Sequence, residues 1–288
     1  MLLTIAAWSL FPALDAIAKY LSGDYSVIEI AWARFLAQFI AAAALLGPHR
    51  VRRALRTRHR KLQFARSLGF GVHTALFLVA ITFLPLADAI AVLFVGPLLV
   101  TALSAPLLGE KVGAARWAGV LAGFIGALVI IRPGFGVFHW AMVLVLLSAA
   151  CLALYQLTTR ELSNHEDPLT TLFYTPAAGL VVLSVAVPFV WTVPARGDVL
   201  LMAFMGGVGA LGHFMLIKAY ETAEASSLAP FSYVLIVSAT FFGYAVFGDV
   251  PDGWTILGAL IVIGSGVYIG RIEARQERVS AAAVERMG

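Results

Sequence analysis

Charged side chains inside apolar segments are the first residues of this sequence that could do chemistry. Asp15 and Lys19 lie four residues apart, with the acidic residue first, in the apolar stretch that opens the chain. This spacing places both side chains on one face of a helix. The pair could present a carboxylate and an ammonium group to a zwitterionic ligand. Alternatively, the two side chains neutralise each other while Lys19 extends its ammonium group toward water.

Two histidines form a second group of candidates. His73 shares a helix face with Phe77, four residues later, and His213 lies far along the chain. The chain resembles itself at an offset of 139 residues, and this offset maps His73 onto position 212, next to His213. Two histidines facing one cavity would offer hydrogen bonds and would titrate near neutral pH. The alternative for each is a buried histidine with a partner in the core, and the near-symmetry of the two positions favours the cavity.

Aromatic residues, 11% of the chain, form the third group. Their rings could stack on a ligand or contact it edge-on, although packing in the core or against lipid is the alternative for each ring. The aromatic candidates for contact with a ligand are Trp8, Phe11, Phe94, Tyr155, Tyr220 and Tyr233.

Three further residues interrupt apolar stretches. Arg34 follows Glu29 by five residues, a spacing that aligns the two side chains poorly, and we interpret Arg34 as a structural anchor that bonds to nearby carbonyls. Pro97 and Pro230 each remove a backbone hydrogen bond and permit a helix kink. Such a kink could act as a hinge, or it could simply bend the helix for packing.

The composition shows which elements must position these residues. The chain of 288 residues is 61% hydrophobic and 12% charged, with a mean hydropathy of +0.91, whereas soluble domains carry about 25% charged residues. The apolar runs are continuous and approach the roughly 20 residues that span a bilayer as a helix, so they predict an all-α polytopic membrane protein. The ten predicted spans are 2–21, 28–46, 67–84, 88–108, 116–131, 139–158, 169–190, 199–217, 228–247 and 254–270.

Basic residues predict the orientation of these spans. Eight Lys and Arg residues lie between positions 50 and 66, and the loops predicted on the same side raise that number to sixteen, against three on the other side. Because cytoplasmic loops carry the excess of Lys and Arg, both termini are predicted to be cytoplasmic. Topology alone explains the basic run, so we expect lipid headgroups, and no nucleic acid, as its partner.

The two halves of the chain repeat each other. Residues 106–123 align without a gap with residues 245–262, and the Gly-acidic pair Gly109–Glu110 aligns with Gly248–Asp249. Each half holds five predicted spans, and because five is odd the second half must be inverted. Inverted repeats with a site between them are typical of alternating-access transporters, although gene duplication without transport is the alternative.

Small residues near the end of each half predict close helix packing. Gly119 and Gly123, like Gly266 and Gly270, have the GxxxG spacing that lets helices approach in lipid. The fifth and tenth spans are therefore the predicted partners, with each other or with a second subunit in a homodimer.

Whole segments resemble a known family. Its pattern of an apolar helix, a Gly-acidic turn and a Gly-rich closing helix is present in "LPLADAIAVLFVGPLLVTALSAPLLGEKVGAARWAGVLAGFIGALVII" and in "AEASSLAPFSYVLIVSATFFGYAVFGDVPDGWTILGALIVIGSGVYIG". These segments, with "AIAKYLSGDYSVIEIAWARFLAQF" near the N-terminus, resemble the EamA-type module of the drug/metabolite transporter superfamily, and most closely its aromatic amino acid exporters. The resemblance implies a bacterial inner-membrane transporter of small organic solutes, with a central cavity lined by the helices that carry the aromatic candidates.

The predicted organisation is a first repeat over residues 1–138, a second and inverted repeat over 139–277, and a cytoplasmic tail over 278–288. We find no HExxH, Walker or GxSxG motif, and the single Cys151 excludes a cysteine cluster, so we expect no enzyme, no cofactor and no metal. The sequence therefore predicts a carrier that exports aromatic and other neutral amino acids by alternating access. The alternatives are export of another metabolite or a cationic drug, and a membrane receptor or scaffold.

Overall fold

The structure is a computed structural model and describes residues 2–55, 57–108, 113–131, 139–163, 165–222, 234–261, 263–265, 267–268 and 271. Within these ranges, the regular elements are helices and none is a strand. This confirms the predicted all-α class.

Twelve helices account for the described spans. In chain order they are α1 (Leu2–Leu21), α2 (Val27–Ala54), α3 (Arg60–Phe83), α4 (Leu86–Leu93), α5 (Gly96–Leu108), α6 (Ala114–Ile131), α7 (Ala141–Ser163), α8 (Pro168–Tyr174), α9 (Ala177–Ala186), α10 (Arg196–Thr222), α11 (Val234–Phe242) and α12 (Gly253–Ser265). A 3₁₀ turn extends α9, and a π-helical turn over Gly243–Phe247 extends α11. Seven runs are long and apolar enough to cross a membrane, and three shorter apolar helices complete the ten predicted spans.

Two of the predicted spans are each divided into two helices at a proline. The fourth span forms α4 and α5 because Pro97 has no N–H group to bond the carbonyl of Leu93. The seventh span forms α8 and α9 because Pro176 likewise has no N–H group for the carbonyl of Leu172, which accepts the N–H of Thr175 at 3.1 Å instead. The predicted interruption at Pro97 is therefore present, and Pro230 lies outside the described residues.

The packing of the helices is reciprocal between the two halves. α3 packs along α7, and in the same way α10 packs along α1. The contact of α2 with α10 is matched by that of α3 with α9, and the contact of α1 with α11 is matched by that of α7 with α4 and α5. Exchanging the two halves converts each contact into its counterpart, which is the property of a pseudo-twofold axis between repeats.

Contacts between loops show that the two halves run in opposite directions. At one end of the molecule, the Tyr25 hydroxyl after the first span donates to Asp198 before the eighth span, at 2.7 Å. At the other end, the Thr57 hydroxyl after the second span donates to Glu166 after the sixth span. The loop after the first span and its counterpart after the sixth span therefore lie at opposite ends of the molecule.

The fifth and tenth spans pack against each other at small residues. A β-carbon on Gly258 of α12 would lie 2.6 Å from the carbonyl oxygen of Gly126 in α6. One on Gly123 would lie 2.7 Å from the Ser265 hydroxyl oxygen. The structure thus brings the two predicted partner helices together within one chain, while Gly266 lies outside the described residues.

Candidate functional site

A cavity lies between the two halves of the protein. Its walls come from α1, α2, α3 and α4 of the first half and from α7, α10 and α11 of the second, and it holds about 590 Å³ of space including its open mouth. This is the region where inverted-repeat transporters place their substrate. The predicted site residues that line it are Trp8, Phe11, Asp15, His73, Phe77, Tyr155 and His213.

The remaining aromatic candidates are not among the described residues of the wall. Phe94 is buried in the core at the break between α4 and α5. Tyr220 lies behind the wall, and its hydroxyl donates to Oε1 of Gln156, a wall residue, at 3.0 Å. Tyr220 therefore positions a polar group of the wall. Tyr233 lies outside the described residues.

The rings of the cavity surround His213. The ring centre of Phe70 is 4.6 Å from that of His213, at an interplanar angle of 82°, and Phe11 lies 5.0 Å away on another side. Trp8 extends this cluster by an edge-on contact with Phe11 at 5.5 Å. Edge-on and tilted contacts are favourable geometries for pairs of rings, and the cluster joins Trp8, Phe11 and Phe70 of the first half to His213 of the second.

Each of the two histidines has a partner on α7 of the second half, which is the opposite half for His73 and the same half for His213. Nδ1 of His73 lies 2.7 Å from the hydroxyl oxygen of Ser148 on α7. Nδ1 of His213 lies 3.0 Å from the hydroxyl oxygen of Tyr155, also on α7. The sequence left two alternatives, a histidine that faces the cavity and a buried histidine with a partner. Both apply, because each histidine lines the cavity and also has a hydrogen-bond partner.

Asp15 pairs with Arg34 and not with Lys19. Nη1 of Arg34 lies 3.5 Å from Oδ1 of Asp15, and both side chains are largely buried. The predicted pairing on one helix face is therefore wrong, because α2 brings a guanidinium to the same face of α1. Arg34, interpreted from the sequence as an anchor for carbonyls, instead lines the cavity.

Lys19 joins the two halves at the end of the molecule that also holds Tyr25 and Asp198. Its ammonium group lies 3.2 Å from Oδ2 of Asp249 and donates to the carbonyl oxygen of Leu84 at 2.9 Å. Gly248 makes this contact possible, because its φ of 72° is accessible to glycine and ends the span before Asp249. The N–H groups of both residues then bond the last carbonyls of the helix.

For the carrier that the sequence predicts, cross-linking this contact is expected to stop transport. In a Cys151→Ala background, Lys19→Cys and Asp249→Cys would be bridged by a bifunctional thiol reagent, which prevents the two halves from separating at this end. Alternating access requires that separation, so we expect the bridged protein to lose at least about 90% of its transport in liposomes. Each single cysteine variant treated with the same reagent is the control. Full activity of the bridged protein would contradict a moving contact here.

Arg66 and Phe70 complete the site, and the sequence analysis did not select them. Arg66 is 1% exposed on α3. Its guanidinium donates to the hydroxyl groups of Thr159 and Thr175 at 3.1 and 2.7 Å, and it lies over the Tyr155 ring at 4.9 Å. The signal was available, because positions 66, 70, 73 and 77 follow the helical spacing of one face that already contained His73.

Comparison with known proteins agrees with this architecture. The sequence profile of the EamA-like transporter family matches residues 1–132 and again residues 139–271. A riboflavin transporter of Vibrio cholerae is 32% identical over 93% of this chain and 91% of its own. An S-adenosylmethionine uptake transporter of Rickettsia prowazekii is 28% identical, over 88% of this chain and 86% of its own. A pseudopaline exporter of Pseudomonas aeruginosa is 28% identical, over 94% and 95%.

A solved structure has the same fold, with a TM-score of 0.70 at 20% identity over 96% of this chain and 98% of its own. The chain therefore belongs to the EamA-like transporter family and is a multi-pass membrane protein of the transporter class. The expected family is confirmed at this level. None of the three relatives described above is named as an aromatic amino acid exporter, so the closer resemblance is not reproduced in them.

Proposed function

We propose that the protein is a secondary transporter that carries a metabolite with a flat aromatic ring system across the membrane by alternating access. The observation that carries this proposal is the cavity between the inverted halves, which is lined both by rings from the two halves and by the buried ion pair of Asp15 and Arg34. Rings recognise the flat faces of other rings, and a site at the interface of the repeats can open to either side of the membrane.

The relatives support a ring-containing metabolite as the substrate class. Riboflavin and S-adenosylmethionine, named for two relatives, share a fused heteroaromatic ring joined to a polar chain. The cavity offers Trp8, Phe11, Phe70 and Phe77 for the ring, and Gln156 and Thr74 for a polar chain. Riboflavin and S-adenosylmethionine are therefore the first compounds to test. This replaces neutral amino acids as the leading proposal with the metabolite alternative.

A second candidate substrate is an aromatic amino acid. Asp15 and Arg34 offer a carboxylate and a guanidinium side by side, and such a pair can bind the ammonium and carboxylate groups of an amino acid. S-adenosylmethionine carries the same zwitterion on a larger ring system, so its transport together with that of phenylalanine would favour this reading.

The proposed arrangement in the membrane follows the charge bias of the sequence. We place the repeats at residues 1–138 and 139–277 in a bacterial inner membrane, with both termini and the tail at 278–288 on the cytoplasmic side. The contact of Lys19 with Asp249 then lies at the outer end of the cavity. Pro97 remains a proposed hinge, and a homodimer is a further proposal without a residue assigned to it.

Transport in liposomes tests the proposal. Purified protein would be reconstituted, and uptake of labelled riboflavin, S-adenosylmethionine and phenylalanine would be followed under gradients of both directions. Phe70→Ala removes a ring at the centre of the cavity, and we expect uptake of the ring substrate to fall about tenfold, since about 1.4 kcal/mol of lost contact equals a factor of ten.

Phe64→Ala is the matched control, because Phe64 lies on the same helix and is 56% exposed. We expect it to retain uptake. If uptake falls equally in Phe70→Ala and Phe64→Ala, loss of the ring contact in the cavity does not explain the fall. Absence of uptake for all three compounds would contradict the substrate class and would favour a receptor or scaffold.

A further inference from the structure

The charges around the cavity do not balance among the described residues. In the wall, Asp15 and Arg34 form one ion pair at 3.5 Å. Arg66 adds a second guanidinium directly behind the wall, 4.9 Å from the centre of the Tyr155 ring, and Tyr155 lines the cavity. In the part of the chain that the structure describes, no carboxylate pairs with Arg66.

The partners of Arg66 solvate its charge without neutralising it. They are the hydroxyl groups of Thr159 and Thr175 and the carbonyl of Thr171. A guanidinium held this way inside a membrane protein is costly, and it persists where a function requires it. Among the described residues, the cavity wall together with Arg66 behind it therefore carries one net positive charge.

The other ionisable groups near the cavity do not remove this charge. Neither Glu29 nor Arg66 lines the cavity itself, but Arg66 contacts a tyrosine ring of the wall. The carboxylate of Glu29, buried near one end of α2, instead accepts the N–H of Thr192 at 3.1 Å. Lys19 is neutralised by Asp249. Protonation of a cavity histidine would add charge of the same sign, so the positive balance holds in either protonation state.

Two nitrogen atoms of wall residues also lack hydrogen-bond partners in the described structure. They are Nε of Arg34, which is always a donor, and Nε2 of His213. When the Tyr155 hydroxyl donates to Nδ1 of His213, the histidine proton lies on Nε2, which is then a second donor. Buried donors without partners are rare in native proteins, and acceptor oxygens on a ligand would satisfy them.

From this arrangement, and resting on the function proposed above, we infer that the substrate carries a negatively charged oxygen group, a carboxylate or a phosphate, which binds between Arg34 and His213. The ring of the substrate lies against the aromatic wall, and its anionic group compensates the charge of Arg66. The loaded cavity is then close to neutral, which lowers the cost of moving it through the membrane. A cationic drug would add to the charge already present. Of the compounds proposed above, S-adenosylmethionine carries a carboxylate beside two cationic groups, whereas riboflavin carries no anionic group and is expected to bind more weakly than a flavin whose chain ends in a carboxylate.

Three flavins of equal ring and different charge test this inference. The isoalloxazine ring would carry a short chain that ends in a carboxylate, a hydroxyl or an ammonium group. Binding to detergent-solubilised protein would be measured by quenching of the flavin fluorescence, which requires no transport. We expect the carboxylate to bind about tenfold more tightly than the hydroxyl, and the ammonium to bind most weakly.

Two variants connect the order of the three binding affinities to Asp15 and Arg34. Asp15→Asn keeps an acceptor for Arg34 while removing the negative charge, so the preference for the carboxylate is expected to grow. The double variant Asp15→Asn/Arg34→Gln is expected to bring the carboxylate and the hydroxyl within about twofold of each other. Lys218→Gln removes a positive charge from an exposed pair with Glu221 and should leave the order unchanged.

The outcomes separate this inference from the proposed function. If the ammonium compound binds as tightly as the carboxylate, or if neither Asp15 variant changes the ratio, the inference is wrong while a ring transporter stands. If the carboxylate is preferred but riboflavin and S-adenosylmethionine are not transported, the charge assignment stands and the proposed substrates fail. If none of the three flavins binds, the ring class is wrong and the inference falls with it.

Discussion

Replacing Arg34 with glutamine is expected to lower the free energy of unfolding by about 3 kcal/mol and to abolish transport. The side chain is 6% exposed and its partner Asp15 is 13% exposed. Removing one member of a buried ion pair leaves the other charge without compensation, which costs about 3–5 kcal/mol. Asp15 would then be stranded in the wall of the cavity, where it would repel an anionic substrate and lose the group that positions it.

The measurement is thermal unfolding in detergent, together with substrate uptake in liposomes. The double variant Asp15→Asn/Arg34→Gln is the decisive control, because it removes both charges and should recover most of the lost stability while transport stays low. Lys218→Gln, which also removes one positive charge, should unfold like the parent protein. If the double variant is as unstable as Arg34→Gln alone, Arg34 does not stabilise the protein through its ion pair with Asp15.

Replacing Gly206 with alanine is expected to cost about 1–3 kcal/mol, the usual penalty of overpacking. A β-carbon at this position of α10 would lie 2.2 Å from the β-carbon of Ala37 and 2.6 Å from the backbone nitrogen of Gln38. The atoms it meets belong mainly to the backbone of α2, which cannot rotate away. The two helices would have to separate, and their contact is one of the reciprocal contacts that form the cavity.

Gly207 provides the control for this variant. It is the next residue of the same helix, and a β-carbon there would meet nothing within 4 Å. Gly207→Ala should therefore be neutral or slightly stabilising, since alanine favours the helix over glycine by up to about 1 kcal/mol. Thermal unfolding of the two variants side by side decides the matter. Similar melting temperatures would contradict close contact between α2 and α10.

The fold could be predicted from the sequence because its determinants are local or periodic. Continuous apolar runs define spans, and an offset of 139 residues between similar segments defines the repeat. The broken seventh span was missed, although Pro176 lies within the predicted range. Hydropathy alone does not locate a break inside an apolar run. The proline locates it, because its missing N–H group interrupts the hydrogen bonds of the helix.

The pairing of charges could not be predicted, because it depends on which helices become neighbours. Asp15 and Lys19 have suitable spacing for each other, yet each has a partner on another element, at sequence separations of 19 and 230 residues. Local spacing shows which two side chains can reach each other, but it does not show which charged groups on other helices also come within reach. Phe70 and Arg66, by contrast, lie on the same helical face as His73, and extending that face by two turns would have found both.

The reciprocal packing of the halves has a consequence for how such a protein can arise. An interface between the repeats either exists in both swapped forms, as α3 with α7 and α1 with α10 do, or pairs one span with its own counterpart, as α2 with α8 and α9 does. A single five-helix chain would thus carry both sides of every contact, and two copies inserted in opposite directions could enclose the same cavity. Fusion into one chain fixes the ratio of the two repeats at one to one, and it allows the sequence of each repeat to change independently. In the Lys19–Asp249 contact, the lysine lies in the first half and the aspartate in the second. Two identical chains would each have to carry both residues.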